Sequence, residues 1–369
     1  MIVFCHLLND NSGSPVILRQ SIRALSKGTD DNLLLVGSQG RGCLETAGVR
    51  IQRYWYRRSR FRILTLFTYF ASQILLYRAL SRANLPRDAE IYVNTLLPFG
   101  AALWARRNGH ALLYHVHEVS ISPAPLRRFL VKVVERTANR VLYVSDDNRQ
   151  RLPIADVASA VVPNPIDPEI AAAGCEATYI PRRSGRFEVL MLASPRDFKG
   201  VPEFLDLARL LGDRPDMKFT LVLNGSPQEV AQYLPAAKRP DNVTVYPRTD
   251  TPAQFYATAD VLVNMSRVDL WIETFGLTIV EGMAFGLPVI APPVGGPNEI
   301  VTPTLDGYLI DSRNTQKIAQ ALCRLADDSK TAMAMSTAAR RRADAFTIDR
   351  FSVQLHQEIE TLRSAKGSA

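Results

Sequence analysis

Short apolar runs alternating with amphipathic helical patterns constrain this chain most. Ile2 to Leu8, Asn32 to Gly37, Glu90 to Asn94, Ala111 to Val116 and Arg140 to Ser145 read as buried strands. A second series follows at Phe187 to Ala193, Lys218 to Asn224, Val243 to Tyr246, Asp260 to Met265 and Pro288 to Ala291. Strands that alternate with helices close into a parallel sheet covered on both faces. The architecture repeats once, and a chain of 369 residues exceeds what one core usually serves. The expectation is an α/β fold of two Rossmann-like domains. Between the series, Asn164-Pro-Ile-Asp167 and Tyr179-Ile-Pro-Arg-Arg-Ser-Gly185 are rich in turn formers and mark a linker over roughly residues 165–186.

The strongest chemical signal is Glu273-Thr-Phe-Gly-Leu-Thr-Ile-Val-Glu281. Gly276 can open a helix whose first N–H groups, around Phe275, Gly276, Leu277 and Thr278, form a cradle for an anion such as a diphosphate. Glu281 follows one turn later, where its two oxygens can accept hydrogen bonds from both hydroxyls of a ribose. Glu273 precedes the helix, facing whatever hangs off the far phosphate. Gly286-Leu-Pro-Val-Ile-Ala291 reads as a helix stop running into a buried strand, and Val294-Gly-Gly-Pro-Asn-Glu299 as a second glycine turn. Ser194-Pro-Arg-Asp-Phe-Lys199-Gly200 follows a strand, where an open α/β sheet places its ligand crevice. There Lys199 and Arg196 can neutralise a diphosphate leaving group.

These segments resemble the donor site of the retaining nucleotide-sugar glycosyltransferases, specifically the large family numbered four, whose GT-B fold sets two Rossmann-like domains across a cleft. The resemblance runs from Met1 to about Phe351 and is strongest over residues 260–310. It implies an acceptor-binding N-terminal domain (1–168), a nucleotide-sugar-binding C-terminal domain (169–345), and a terminal helix of about 346–369 crossing back onto the first. His117 and Glu118 match a His-Glu pair facing the transferred sugar, so His117 joins Lys199 and Glu273 as the implied catalytic set. Gly13, in Asn9-Asp-Asn-Ser-Gly13-Ser-Pro15, matches one of two glycines that let backbone approach the donor. Lys199-Gly200 matches well. The family's arginine falls near Ser194, so either Arg196 serves from a shortened loop or Lys199 and helix N–H groups act alone.

The implied activity is transfer from a UDP- or GDP-sugar to a hydroxyl of a glycan or lipid-linked acceptor in bacterial surface polysaccharide assembly, without a metal or other cofactor. The alternatives are a GT-B nucleotide-sugar epimerase and a non-catalytic, membrane-docking sugar-nucleotide binder. No nucleophile elbow, Walker loop or metalloprotease helix is present. The four cysteines are scattered without metal-ligand or redox spacing, which fits a reducing cytosol.

The net charge of +8 is unevenly spread. Arg50, Arg53, Arg57, Arg58, Arg60 and Arg62 are interleaved with Tyr54, Trp55, Tyr56 and Phe61, and an apolar helical pattern runs on to Ile74 and Leu75. Arginines beside aromatics suit an anionic membrane surface, giving an expected peripheral location on the inner face of the cytoplasmic membrane. The competing reading packs that apolar face into the N-terminal domain. No nucleic-acid module supports a nucleic-acid partner. No run of about eighteen uncharged apolar residues occurs, and Met1 to Leu8 reads as a first strand rather than a signal peptide.

Overall fold

The computed structural model describes residues 1–26 and 31–367. The chain divides into two compact units, Met1–Pro165 with Ile348–Ala369, and Ile166–Thr347.

The first unit is built on β1 (Ile2–His6), β2 (Leu33–Gly37), β3 (Arg50–Tyr54), β4 (Glu90–Asn94), β5 (Leu112–Val116), β6 (Arg140–Tyr143) and β7 (Ser159–Val161). All pairs are parallel, in the order β3-β2-β1-β4-β5-β6-β7. The central strands are buried along their whole length, as expected of a sheet covered on both faces. The helix Ile348–Gly367 belongs to this unit. Its Phe351, Leu355, Ile359 and Leu362 form one buried stripe, and ion pairs Arg140–Glu358 and Arg363–Glu90 tie it to β6 and β4.

The second unit carries β8 (Phe187–Ala193), β9 (Met217–Leu223), β10 (Val243–Tyr246), β11 (Val261–Val263), β12 (Val289–Ala291) and β13 (Gly307–Leu309). They form a parallel sheet in the order β10-β9-β8-β11-β12-β13. Both sheets are Rossmann-like, and each has a point where successive connections diverge to opposite sides: between β1 and β4 in the first, between β8 and β11 in the second. Ligands of open α/β sheets bind beyond the carboxyl ends of the strands at such points.

Two features differ from expectation. The segment read as a linker holds the helix Pro168–Glu176, capped by Asp167, whose side chain accepts from the Glu169 N–H. It packs on the helix Leu277–Ala284 of its own unit, with Gly174 so close that a Cβ there would lie 2.8 Å from the Ala284 carbonyl oxygen. The turn-forming residues mark its two ends, not a loose tether. Second, the helix Arg62–Arg82 is long and apolar enough, by length and composition, to cross a membrane, because Arg78 ends the uncharged run without lowering the mean hydropathy below that of a span.

Candidate active site

In the second unit the site grows from the carboxyl ends of β8 and β11. After β8 the chain turns through Asp197–Lys199 into Gly200, whose φ of +79° is left-handed. A Cβ at Gly200 would stand 1.9 Å from the Met265 carbonyl oxygen, so only glycine lets this loop lie against the segment after β11. That contact carries Lys199 to Glu273: Nζ donates to Oε2 at 2.6 Å, and Ser266 Oγ donates to the same oxygen at 3.1 Å. Lys199 also lies over the Trp271 ring, 5.5 Å from its centroid, and Trp271 stacks on Phe198. Burial pushes the Glu273 carboxyl up, but the Lys199 ammonium and the hydrogen bonds from Ser266 and Asn264 outweigh it and hold the group below the usual carboxylate range. The cation expected at a leaving diphosphate and the carboxylate expected at a sugar are therefore partners.

Gly276, with φ +105°, caps the helix Leu277–Ala284. The second glycine turn backs this loop: Gly296 N–H donates to the Glu273 carbonyl at 2.9 Å, and a Cβ on Gly296 would lie 2.4 Å from the Phe275 Cα. Phe275 itself is buried against Phe346, ring centroids 5.6 Å apart, so only its backbone is available to a ligand. Leu277 and Thr278 are half-buried in the first turn, where helix N–H groups have no intrahelical partner. Glu281 accepts from the Tyr256 hydroxyl at 2.6 Å, through Oε2. Burial pushes its carboxyl up to about 7, against the downward pull of that hydrogen bond. One of the two oxygens assigned to a ribose is thus already bonded. Arg196 is exposed, and its guanidinium donates to the Pro195 carbonyl at 3.4 Å.

In the first unit, Gly13 opens the helix Gly13–Leu25 after β1 and is exposed. His117 follows β5, and its Nε2 lies 2.9 Å from Asn94 Oδ1, at the end of β4. The amide is oriented by its nitrogen, which donates to the Ser14 carbonyl at 3.1 Å, so Oδ1 faces the imidazole and His117 carries its proton on Nε2. The His115 and His117 rings are 4.3 Å apart, as strand alternation requires. His115 Nδ1 bonds Tyr92 at 2.6 Å, and Tyr92 in turn donates to Ser21. Burial holds all three histidines of this cluster neutral: His6 falls to about 4, His115 to about 3, and His117 well below its ordinary value, helped by its two neighbours. Burial likewise raises Glu118 to about 7, while the Leu96 and His117 N–H groups donate to its carboxylate. Among the described residues no three histidine, cysteine or acidic side chains converge to hold a metal ion.

The sequence model described as Glycosyl transferases group 1 matches residues 180–342, nearly the whole second unit. The C-terminal unit is a group 1 glycosyl transferase domain. Two curated relatives of this glycosyltransferase unit's chain are D-inositol 3-phosphate glycosyltransferase of Arthrobacter sp. (strain FB24), 28% identical over 50% of this chain and 47% of its own, and the GDP-mannose-dependent alpha-(1-6)-phosphatidylinositol monomannoside mannosyltransferase of Mycobacterium tuberculosis (strain ATCC 25618 / H37Rv), 27% identical over 61% and 62%. The chain thus spans about half the length of the curated relatives it matches. Among solved structures, Anabaena HepE in complex with UDP-glucose matches with a TM-score of 0.78 and 20% identity, over 98% of this chain and 99% of that one. At that identity the likeness establishes the fold, two Rossmann-like units.

Tyr256, Asn94, Ser266 and Trp271 were not legible as site residues. Asn94 alone left a signal, as the polar residue at the carboxyl end of a strand whose interior is apolar.

Proposed function

We propose that the protein is a retaining, metal-independent glycosyltransferase that binds a nucleotide-diphosphate sugar in its C-terminal unit and a hydroxyl acceptor in its N-terminal unit. The observation that carries this reading is the convergence of Lys199, Glu273 and the Gly276 helix start at the β8/β11 switch point of a group 1 glycosyl transferase domain. A diphosphate arriving at the helix N-terminus meets the Lys199 ammonium, which leaves Glu273 free to accept from sugar hydroxyls. Glu281 accepts from the ribose through the oxygen that Tyr256 leaves open. As the anomeric C–O bond breaks, its electron pair goes to the diphosphate, whose growing charge Lys199 and the N–H groups near Leu277 and Thr278 stabilise. The acceptor oxygen attacks the same face, and its proton passes to the departing diphosphate oxygen. His117 and Gly13 of the N-terminal unit would orient the sugar and admit it, while Arg196, exposed and in no ion pair among the described residues, is available to the outer phosphate.

HepE is crystallised with UDP-glucose and the mycobacterial relative is named for GDP-mannose, so a UDP- or GDP-sugar is the proposed donor. The acceptor proposed is a lipid-linked glycan of surface polysaccharide assembly, met at the inner face of the cytoplasmic membrane. A thermal-shift panel of nucleotide sugars tests the donor: a specific ligand raises the melting temperature in proportion to its affinity. Free nucleoside diphosphate released only on adding acceptor then supports transfer. Donor isomerisation without acceptor, or binding with no turnover under any acceptor, would overturn it.

A further inference from the structure

The helix Arg62–Arg82 is apolar on both sides, yet the fold covers only one. Tyr69, Ser72, Gln73, Leu76 and Leu80 are buried against the N-terminal unit. At 100° per residue, Ile63, Phe67, Phe70 and Ile74 form a stripe on the opposite side, and they are 74%, 70%, 38% and 58% exposed. Phe70 meets Phe129 of the helix Ala124–Thr137 at a ring distance of 6.0 Å, and Phe129 is itself exposed, so the patch spans two helices. Trp55 and Phe61, in the segment leading in, are exposed as well. A helix apolar all round normally lies in a core or in lipid, and a contiguous exposed apolar patch marks an interaction surface.

Charge selects the occupant. Arg57, Arg58, Arg60 and Arg62 are exposed beside the patch and form no ion pair among the described residues. No aspartate or glutamate occurs from Thr46 to Arg87. A second copy docking symmetrically here would set arginines against arginines with no carboxylate of this segment to compensate. Crossing a bilayer is opposed by the covered side: Gln73 Oε1 accepts from the Gly100 N–H at 3.1 Å, and a Cβ on Gly100 would lie 2.2 Å from the Gln73 carbonyl oxygen. The helix is locked into its unit, with one face turned out.

We infer that this face docks on an anionic lipid bilayer, the Ile63-Phe67-Phe70-Ile74 stripe entering the acyl boundary and Arg57, Arg58, Arg60 and Arg62 meeting lipid phosphates, with the helix lying in the plane of the surface. The inference deepens the membrane location proposed above and rests on it for its biological setting.

The test is co-sedimentation of the full chain with vesicles of phosphatidylcholine alone or mixed with phosphatidylglycerol. The wild type pellets with the mixed vesicles and is released by high salt. Each arginine near an anionic surface strengthens partitioning about fivefold, so a triple Arg57→Glu, Arg58→Glu, Arg60→Glu variant binds them more than ~100-fold more weakly. A Phe67→Asp, Ile74→Asp pair loses binding to them while keeping every arginine. Both variants change exposed side chains only, and unchanged thermal melting and nucleotide-sugar affinity show the fold intact. Equal pelleting on neutral and anionic vesicles, undiminished binding by either variant, or a concentration-dependent dimer by light scattering that Phe67→Asp abolishes would each overturn the inference. Vesicle binding without any nucleotide-sugar binding would instead sink the glycosyltransferase reading and leave this surface standing.

Discussion

Donor affinity should depend on pH through Glu281, and the Tyr256 hydroxyl sets where. In the structure Glu281 is held near a pKa of about 7 by burial, with the Tyr256 hydrogen bond pulling it down. A ribose needs the ionised carboxylate, so binding selects that form. Affinity then rises about tenfold per pH unit up to about 7 and is flat above it, with a proton released on binding below that point. Tyr256→Phe deletes a hydrogen bond to a charged group, worth about 1.5–3 kcal/mol, which moves the carboxyl up by roughly one to two pH units. At pH 7 the ionised fraction falls from about one half to roughly 1–10%, and the donor dissociation constant rises about 5- to 50-fold. At pH 9 the variant should come back to within about twofold of wild type. Calorimetric titration with the nucleotide sugar picked out by thermal shift, across pH 5.5 to 9, reads all of this. A wild-type affinity flat across that range, or superimposable curves for the two proteins, would show that Glu281 does not hold the ribose through its ionised form.

Lys199→Ala should lower turnover more than tenfold, since a charge-assisted phosphate contact is worth about 1.5–3 kcal/mol; steady-state kinetics at wild-type rate would clear Lys199 of the leaving group. Asn94→Asp should put a carboxylate on the His117 Nε2 hydrogen and raise the pKa of that imidazole, favouring its charged form and adding a new limb to the pH–rate profile, whereas an unchanged profile and unchanged imidazole nitrogen shifts by NMR would leave Asn94 only a structural part. Gly296→Ala must displace Thr274 and Phe275, so it should cost about 1–3 kcal/mol of stability by denaturant titration and weaken the donor more than the fold. An unperturbed donor affinity would separate the second glycine turn from the site.

What the sequence concealed has identifiable causes. The central strands were legible because both faces are covered and most of their residues are apolar. The three missed strands, Arg50–Tyr54, Ser159–Val161 and Gly307–Leu309, all lie at sheet edges. An edge strand is half-solvated, so β3 can carry Arg50 and Arg53 outward and read as a basic segment. The same logic divides the site. Glu273, Gly276 and Glu281 lie on one local turn, and Lys199 on a recognisable strand-end loop. Tyr256 and Asn94 reach their partners across 25 and 23 residues, through helix and strand packing that no local pattern announces.

Glu273 and Glu281 also illustrate what identity alone withholds. They are the same residue type, both in a buried setting at one helix start, and the fold puts them in opposite states: one ionised beside an ammonium and a serine, the other poised near neutrality beside a phenol. Environments that push two carboxylates apart commonly assign them different work. The ion pair keeps Lys199 and Glu273 mutually satisfied, so on the proposed reading a diphosphate must win the lysine from the glutamate, and doing so frees a Glu273 carboxylate oxygen to accept from the sugar that the far phosphate carries. A ligand without that phosphate, such as the nucleoside alone, leaves the pair closed. On this argument the nucleoside should reach Glu281 and Tyr256 yet leave Lys199 bonded to Glu273, and only the diphosphate sugar should open both halves of the site.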